Sequence, residues 1–363
     1  MQTETGLQEP AAVPDGRPPG TGRAPFRVAR TWRRMRRIAG GVRLIARGLA
    51  DTAHPLLAQI VPIRRCNIDC AYCNEYDKVS PPVPADVMTR RLDRLAELRT
   101  EAVSFTGGEP LLHPALPRLI AHVRARRMTA ALITNGYLLS RARIRELNDA
   151  GLEYLQISLD NVNPDDVSKK SLRLLDRKLE WLAGEAMFDV HINTVVGAGT
   201  RRAEDALEIS RRARSLGFST SVGIIHDGQG QLKPLSAGER QIYEQVRAIG
   251  THGAWLFKNL YSGLVKFESN LIEGRPNTWR CRAGARYLYI CEDGLVHYCS
   301  QQRGTPGIAL ADYTRADIER AYRTPKGCAP FCTIGCVHRV SIMDFWRDPQ
   351  AEPAGPANRA GRR

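Results

Sequence analysis

The chain has 363 residues, of which 43% are hydrophobic and 25% are charged, a composition that allows one large globular domain and a smaller one. Its formal net charge is +15, and no apolar run approaches the ~20 residues that a membrane-spanning helix needs. With no secretory signal pattern, this excludes an integral membrane protein and predicts a cytoplasmic chain whose nine cysteines bind metal rather than form disulfides.

The first 57 residues are predicted to form a tail and a basic helix. Residues 1–26 contain five prolines and four glycines, which predicts a disordered tail. Residues 27–57 are predicted to form an amphipathic helix, because eight arginines and no acidic residue occur between Arg27 and Arg47. Its apolar residues recur at steps of three and four, namely Val28, Trp32, Met35, Ile38, Val42, Ile45 and Leu49.

Several roles are open for this basic helix. It could pack its apolar stripe on the rest of the protein and leave its arginines in water. It could equally lie on an anionic membrane surface through residues 27–49. Contact with nucleic acid is a weaker alternative, and an arginine-rich transit peptide is disfavoured by Glu4, Glu9 and Asp15.

From Ala58 onward, strand and helix patterns alternate six times. The predicted strands cover 58–63, 101–106, 130–134, 153–159, 190–196 and 219–225. The predicted helices cover 85–99, 115–127, 140–150, 170–186, 201–216 and 236–250. Repeated βα units imply a parallel sheet with right-handed crossovers. Residues 58–250 therefore predict an α/β fold, a partial (β/α)6 TIM-like barrel whose active residues lie at the carboxyl ends of the strands.

Three cysteines follow the first predicted strand with the spacing C-x3-C-x2-C, namely Cys66, Cys70 and Cys73. Three thiolates on one loop can hold three irons of a [4Fe–4S] cluster and leave the fourth iron open to another ligand. A structural zinc site wants four close ligands, and a disulfide would leave the third thiol unpaired. The spacing therefore favours an iron–sulfur cluster over both alternatives.

A second motif, Gly107-Gly108-Glu109-Pro110, ends the second predicted strand. Its glycines let the backbone approach a ligand closely, and its carboxylate could pair with an ammonium group. Together the two motifs resemble those of the radical S-adenosylmethionine (radical SAM) enzymes. The resemblance implies that the three cysteines hold a [4Fe–4S] cluster whose open iron chelates SAM. It further implies that Tyr72 lies near the adenine and that residues Gly107 to Pro110 contact the methionine amino group.

Polar residues also end the later strands. Ser158 and Asp160 lie on one face of the fourth predicted strand. The resemblance implies that Ser158 contacts the ribose of SAM, and we assign Asp160 to the same site. Asn193 of the fifth strand is a candidate ribose or substrate contact, whereas His191 is interpreted as a histidine with its hydrogen bonds satisfied in the barrel. The loop His226–Gly230 could bind substrate or transfer a proton, or it could be a turn.

The other six cysteines lie within residues 251–345. The Cys281/Gly294/Cys299 arrangement resembles the start of the twitch or SPASM extension, which ligates auxiliary clusters in one branch of radical SAM enzymes. That resemblance implies one auxiliary [4Fe–4S] cluster, with the ligands Cys281, Cys291, Cys299 and Cys336. A second cluster would need Cys328, Cys332 and a non-cysteine ligand such as His338, and a zinc ribbon is a further alternative. Residues 346–363 are predicted to be a second disordered tail.

The resemblance implies an oxidoreductase of the radical SAM type. A low-potential donor of the flavodoxin or ferredoxin type would supply one electron to cleave SAM, and the 5′-deoxyadenosyl radical would abstract hydrogen from an unactivated C–H bond. The substrate stays open between a peptide, a small metabolite and, with the basic helix on a bilayer, a lipid or isoprenoid. A non-enzymatic iron–sulfur sensor that binds nucleic acid through the basic arm would leave the glycine motif without a role.

Overall fold

Six parallel strands form the centre of the fold in the computed structural model, which describes residues 23–73, 75–197, 200–225, 234–250 and 267–347. The strands are β1 (Leu57–Ile63), β2 (Ala102–Gly107), β3 (Thr129–Thr134), β4 (Tyr154–Ser158), β5 (Asp189–Gly197) and β6 (Ser219–Ile225). The helices are α1 (Arg23–Ala50), α2 (Ala85–Glu97), α3 (Leu116–Ala125), α4 (Arg141–Asp149), α5 (Leu172–Glu185), α6 (Glu204–Ser215) and α7 (Ala237–Gly250). Each of the six predicted strands and six predicted barrel helices is present, with ends that differ by at most three residues.

The strands lie in the order β6-β5-β4-β3-β2-β1, and each pairs in parallel with its neighbours. Strand β1 is buried along nearly its whole length, because helices cover one side and the barrel interior the other. Its free edge pairs with a strand from the carboxyl-terminal extension and not with β6, so the barrel is open. This arrangement confirms the predicted partial barrel.

The carboxyl-terminal extension continues the same sheet. Strand β7 (Tyr287–Ile290) pairs in parallel with β1, and β8 (Leu295–His297) and β9 (Pro306–Ala309) follow in antiparallel pairs. Helices α8 (Arg315–Arg323) and α9 (Gly335–Ser341) complete the extension. The extension was predicted as a domain separate from the barrel, whereas one sheet of nine strands joins the two.

Helix α1 crosses the amino-terminal ends of the barrel strands with several of its arginines turned inward. Arg37 is 6% exposed and forms an ion pair of 2.7 Å with Asp189, the first residue of β5. Arg47 pairs at 2.8 Å with Glu101, which directly precedes β2. Arg33 donates a hydrogen bond of 2.8 Å to the Asn148 carbonyl. The helix is therefore attached to the barrel through guanidinium groups.

The apolar side of α1 faces away from the barrel. Val28, Trp32, Met35, Ile38, Val42 and Leu49 are between 42% and 62% exposed. Of the alternatives left open for this helix, packing of the stripe on the protein is therefore wrong, because the surface it would cover presents carboxylates and carbonyls that bind arginine. The helix spans Arg23–Ala50 and not the predicted 27–57. Residues 346–347 of the second predicted tail belong to a short 3-10 turn. The rest of both predicted tails lies outside the described residues. None of the helices in the described part of the chain is long and apolar enough to cross a membrane.

A buried ion pair joins α1, β1 and the extension. The side chains of Arg286 and Asp344 are both fully buried and lie 2.8 Å apart. The same guanidinium donates to the carbonyl oxygens of Asp51, at 2.7 Å, and His54, at 3.1 Å, and to that of Gly48. These carbonyls belong to the end of α1 and the turn before β1, so one side chain links three parts of the chain.

We expect Asp344→Ala to lower the free energy of unfolding by about 3–5 kcal/mol, because the substitution leaves a buried guanidinium without its carboxylate. Denaturant unfolding of the purified protein measures the change. The control is Glu319→Ala, which breaks an exposed pair with Arg315 and should cost less than about 1 kcal/mol. Equal losses in the two variants would contradict the assigned role of the buried pair.

Candidate active site

The cysteine loop follows β1 and is closed by backbone hydrogen bonds. The Cys66 amide donates to the Asp77 carbonyl at 3.0 Å, and the Cys73 amide donates to the Cys70 carbonyl at 3.1 Å. Cys70 is 4% exposed, and the other two cysteines are half-buried. Burial raises the pKa of the Cys66 and Cys73 thiols, and the charge of neighbouring Cys70 raises the pKa of both further. The fold therefore places the three predicted cluster ligands close enough to interact.

The Gly107–Pro110 loop lies directly against the cysteine loop. The Gly108 amide donates to the Ile63 carbonyl at 3.2 Å, and the Glu109 amide donates to the Arg65 carbonyl at 3.0 Å. A Cβ atom at Gly108 would lie 2.1 Å from the Arg64 carbonyl oxygen. Glycine is therefore required at this position by the close packing of the two protein loops, whether or not a ligand also approaches it.

Glu109 is a fully buried carboxylate at the centre of this contact. Its Oε1 accepts from the Leu111 amide at 2.9 Å and the Thr134 hydroxyl at 2.7 Å, and its Oε2 accepts from the Asn135 amide at 2.8 Å. Burial raises the pKa of this carboxyl, and the hydrogen bonds oppose that rise. A carboxylate offers about four lone-pair sites, so Glu109 keeps one acceptor position on Oε2 for a ligand such as an ammonium group.

Asn135 links this carboxylate to the cysteine loop. Its side-chain amide donates to Asn67 Oδ1 at 2.8 Å and lies 3.7 Å from Cys66 Sγ. Asn135 was not among the predicted site residues. Its position directly after β3 was the available signal, because that end of the strand lies at the same rim as the cysteine loop.

A second buried polar cluster surrounds Asp160, which is 3% exposed. Its Oδ2 accepts from the Ser168 hydroxyl at 2.7 Å and from the Tyr72 hydroxyl, and the Lys170 ammonium lies 3.7 Å away. Ser168 Oγ is also 3.6 Å from Cys70 Sγ, so the cluster adjoins the cysteine loop. Asp160 Oδ1 is buried and has no hydrogen-bond partner among the described residues. A bound hydroxyl group would satisfy this oxygen, which fits the predicted ribose contact.

Tyr72 and Lys170 fix the charge of this cluster. Burial raises the pKa of Tyr72, so the residue is a neutral phenol. Burial alone would lower the pKa of Lys170, but Asp160 and Tyr72 raise it well above its ordinary value, so the residue is an ammonium. Lys170 was not predicted as a site residue because the fourth predicted barrel helix begins at residue 170, whereas α5 starts at Leu172.

The remaining predicted residues lie along β4, β5 and β6. Ser158 pairs with Asn193 in the register of β4 and β5, and Asn193 Oδ1 accepts from the Ser221 hydroxyl at 2.9 Å. His191 contacts the hydroxyls of Ser219, at 2.9 Å, and Ser221, at 2.7 Å, through its two ring nitrogens. Burial lowers the pKa of His191 to about 4, so it is neutral, and its interpretation as a satisfied histidine is confirmed. The loop His226–Gly230 lies outside the described residues.

Four cysteines of the extension interact electrostatically: Cys281, Cys299, Cys328 and Cys332. Burial raises the pKa of Cys281 to about 11 and that of Cys299 to about 12, and the charge of Cys328 raises both. Burial also raises the pKa of Cys332, with further increases from the other three thiols. Cys281 and Cys299 therefore lie near the two cysteines that the sequence analysis reserved for a second cluster.

Cys291 and Cys336 border the same apolar cluster as Cys281 and Cys299, but other groups act on their pKa values. Burial raises the pKa of Cys291 to about 12, and the groups that act on it include Arg303, Glu292 and Glu75. Cys336 hydrogen-bonds the Tyr287 hydroxyl, which is also influenced by Cys299. The four predicted auxiliary ligands thus border one apolar cluster, and two of them, Cys281 and Cys299, also interact electrostatically with Cys328 and Cys332.

Within the described ranges, Cys291, Asp293 and His297 bring one ligand atom each within 4.8 Å of one another. The Gly304 amide, however, donates to His297 Nδ1 at 3.0 Å. In a neutral imidazole the proton then resides on Nε2, and neither nitrogen offers a free lone pair. We therefore do not assign a metal site to this group.

We expect Gly108→Ala to prevent assembly of the first cluster, because the added methyl group would force the glycine loop off the cysteine loop. Iron analysis and visible absorption after anaerobic reconstitution measure the effect, and the iron bound at this loop should fall at least about tenfold. Gly184→Ala is the control, since its Cβ would meet no atom within 4 Å and the residue lies in α5. Normal iron content in Gly108→Ala would show that the contact is dispensable.

Comparison with known proteins agrees with this geometry. Residues 60–231 match the model of the radical SAM superfamily. A GTP 3′,8-cyclase from Synechococcus sp. (strain CC9902) is 30% identical over 268 residues, which cover 65% of this chain and 71% of that protein. A PqqA peptide cyclase from Granulibacter bethesdensis is 32% identical over 117 residues, which cover 31% of each chain.

The fold is also similar to that of Streptococcus suis SuiB bound to S-adenosylmethionine. The TM-score is 0.56 at 17% sequence identity, over 78% of this chain and 70% of SuiB. The alignments with the PqqA peptide cyclase and with a GTP 3′,8-cyclase from Chlorobaculum tepidum span less than half of those relatives, 31% and 44% of their lengths. The cysteine loop, the glycine loop and these matches together show that the chain belongs to the radical SAM superfamily, whose cofactors are a [4Fe–4S] cluster and S-adenosylmethionine.

Proposed function

We propose that this chain is a radical SAM enzyme that cleaves S-adenosylmethionine reductively and abstracts hydrogen from an unactivated C–H bond of an organic substrate. When bound, the cluster and SAM supply a 5′-deoxyadenosyl radical, and the protein supplies binding and orientation. The observation that carries the proposal is the buried Oδ1 of Asp160 beside the cysteine loop, for which the described part of the chain offers no hydrogen-bond partner. A polar atom buried without a partner is costly unless a ligand completes it.

The protein residues then have distinct roles. Cys66, Cys70 and Cys73 would hold the cluster. Glu109 would accept a hydrogen bond from the ammonium group of SAM at its open Oε2 position, and Asp160 would accept one from a ribose hydroxyl. Glu109 would thus orient the aminoacyl part of the cofactor, and Asp160 would orient its ribose.

Other residues support this arrangement. Gly107 and Gly108 allow the two loops to pack together. Pro110 begins a 3-10 turn, and the Leu111 amide of this turn donates a hydrogen bond to the Glu109 carboxylate. Tyr72 would place its ring beside the adenine while its hydroxyl stays on Asp160. Ser158 and Asn193 are assigned to the ribose or substrate side of the site, since their strands pair there.

We also propose one auxiliary [4Fe–4S] cluster in the extension, held by Cys281, Cys299, Cys328 and Cys332. Support comes from the mutual effects of these four thiols on their pKa values. Cysteine binds iron as the thiolate, and iron reverses the rise in pKa that burial causes. This set replaces Cys291 and Cys336 of the set implied by the twitch/SPASM resemblance.

For the substrate we propose a peptide, with a low-potential flavodoxin or ferredoxin type protein as the electron donor. Relatives named for peptide chemistry support this choice, namely the PqqA peptide cyclases and SuiB, which was also solved with a precursor peptide. A small metabolite is the second candidate, since the GTP 3′,8-cyclase relative aligns with 65% of the chain. The nucleic-acid sensor is disfavoured, because Arg33, Arg37 and Arg47 bind the barrel.

We expect the anaerobically reconstituted protein to form 5′-deoxyadenosine from SAM and a strong reductant. Cys70→Ala should abolish this product, with a loss of at least about 10³-fold, because removal of one thiolate leaves the cluster without a full ligand set. Chromatography of the quenched reaction measures the product. Cys291→Ala, which removes an equally buried thiol elsewhere, should retain it. Product formation by Cys70→Ala would contradict the assigned cluster site.

Iron counting should distinguish the two auxiliary ligand sets. We expect about eight irons per chain in the reconstituted protein and about four after Cys328→Ala or Cys332→Ala, since each cube holds about four. Cys291→Ala and Cys336→Ala should keep the full content. The reverse pattern would support the set that includes Cys291 and Cys336, and zinc in place of iron would refute the auxiliary cluster altogether.

A further inference from the structure

We propose that the outer face of α1, together with Phe345 and Trp346, docks onto a bilayer that contains anionic phospholipid, and that it holds the candidate active site away from that bilayer. We call this the docking surface, and its helical part consists of Val28, Trp32, Met35, Ile38, Val42 and Leu49. The inference does not depend on the proposed function, because these residues are outside the site.

The two sides of α1 are opposite in character. Arg37 and Gly48 are buried, and Arg33 and Leu44 are half-buried. Their helical spacings of four and seven residues define the side against the protein. The docking surface lies on the other side, where its six large apolar residues are at least 42% exposed. At 1.5 Å per residue, the stripe from Val28 to Leu49 is about 30 Å long. A continuous apolar surface of this length is unusual on a protein that has no partner for it.

The charge pattern of α1 selects an anionic lipid surface as the partner. The helix contains no acidic residue, and exposed Arg34 and Arg36 lie on the two flanks of the apolar stripe. Arginine side chains can extend their guanidinium groups to lipid phosphates while the apolar residues enter the interface. A second copy of the chain fits less well, because a symmetric contact would bring the arginine flanks of two helices together.

A short carboxyl-terminal turn adds aromatic residues beside the end of α1. Arg347 donates to the Leu49 carbonyl, and a Cβ at Gly48 would lie 2.8 Å from the Met343 side chain, so the turn packs on the last turn of the helix. Within this turn Trp346 is 59% exposed and Phe345 is 48% exposed. Tryptophan is favoured at membrane–water interfaces, which suits the position of Trp346.

The position of α1 in the fold determines which way the active site points. Its ion pairs join Asp189 and Glu101 at the amino-terminal ends of β5 and β2. The cysteine loop and Gly107–Pro110 lie at the opposite, carboxyl-terminal ends. A strand of seven residues is about 20 Å long, so docking through α1 leaves the rim at least that far from the bilayer. This geometry favours a substrate taken from the aqueous side and argues against one drawn directly from the lipid.

Vesicle flotation tests the proposal on the full-length, cluster-loaded protein. We expect wild type to float with vesicles of phosphatidylglycerol and phosphatidylcholine and to stay largely unbound with phosphatidylcholine alone. The double variant Trp32→Asp/Val42→Asp should reduce the bound-to-free ratio at least about tenfold, because it places two charges in the interface. Leu174→Asp is the matched control, since Leu174 is 52% exposed on α5, away from the docking surface, and it should bind as wild type does.

Three results would overturn the proposal: no flotation of wild type with anionic vesicles, equal flotation of the double variant, or equal binding to neutral vesicles. A dimer of wild type in solution that the double variant abolishes, without any vesicle binding, would identify the surface as a contact between copies and would also overturn it. Circular dichroism and iron content of the variant establish that it is folded. Formation of 5′-deoxyadenosine by both proteins is measured in parallel, so failure of the docking surface and failure of the proposed function give different results.

Discussion

The close contact between the glycine loop and the cysteine loop is the constraint on which the candidate site depends. At Gly108 the two backbones are near enough that a methyl group would lie 2.1 Å from the Arg64 carbonyl oxygen. The contact places Glu109 at the same rim of the barrel as Cys66. Asn135 connects the two, because its backbone amide donates to Glu109 and its side-chain amide lies near Cys66 Sγ. Strand β1 and strand β2 are neighbours in the sheet, so the contact follows directly from the topology.

Burial in the site disfavours the charged forms of its thiols and of Glu109 as long as no ligand is bound. Burial raises the pKa of Cys66, Cys73 and Glu109, so without metal the thiols stay protonated at neutral pH. Iron binding requires thiolates and must therefore release protons. Lys170 eases this change, because its ammonium lowers the pKa of Cys73 and is itself stabilised by Asp160 and Tyr72. The Asp160 cluster thus supplies both an open acceptor for a hydroxyl and a fixed positive charge beside the cysteine loop.

Much of the fold could be predicted because the local spacing of apolar residues indicates which side of each strand or helix is buried. The six barrel strands and their helices are apolar in the pattern that a parallel sheet imposes, and the two motifs lie at strand ends. The orientation of α1 could not be predicted in the same way. Periodicity locates an apolar stripe on the helix but does not say which side of the helix binds the protein. That side is determined by pairs such as Arg37 with Asp189, which are 152 positions apart in the sequence. Such long-range pairs leave no local signal.

The cysteine grouping shows the same limit. Spacing along the chain cannot tell whether Cys299 has Cys291 or Cys332 as its neighbour, because the turn between β7 and β8 and the path through α8 decide it. Lys170 was hidden for a related reason, since a lysine before an apolar run is typical of a solvated helix start. In each case the missing information was the three-dimensional path of an irregular segment.

The extension does more than carry cysteines, because it holds the first cluster loop at both ends. On the amino-terminal side, Arg64 pairs with Glu292 at 3.0 Å. On the carboxyl-terminal side, burial raises the pKa of Glu75, two residues after Cys73, while hydrogen bonds from Ser300 and Tyr289 lower it. Both sets of partners lie in or beside the β7–β8 hairpin, and β7 itself pairs with β1. A shift of the extension would therefore move the loop that carries Cys66, Cys70 and Cys73, so the barrel and the extension form one structural unit around the site.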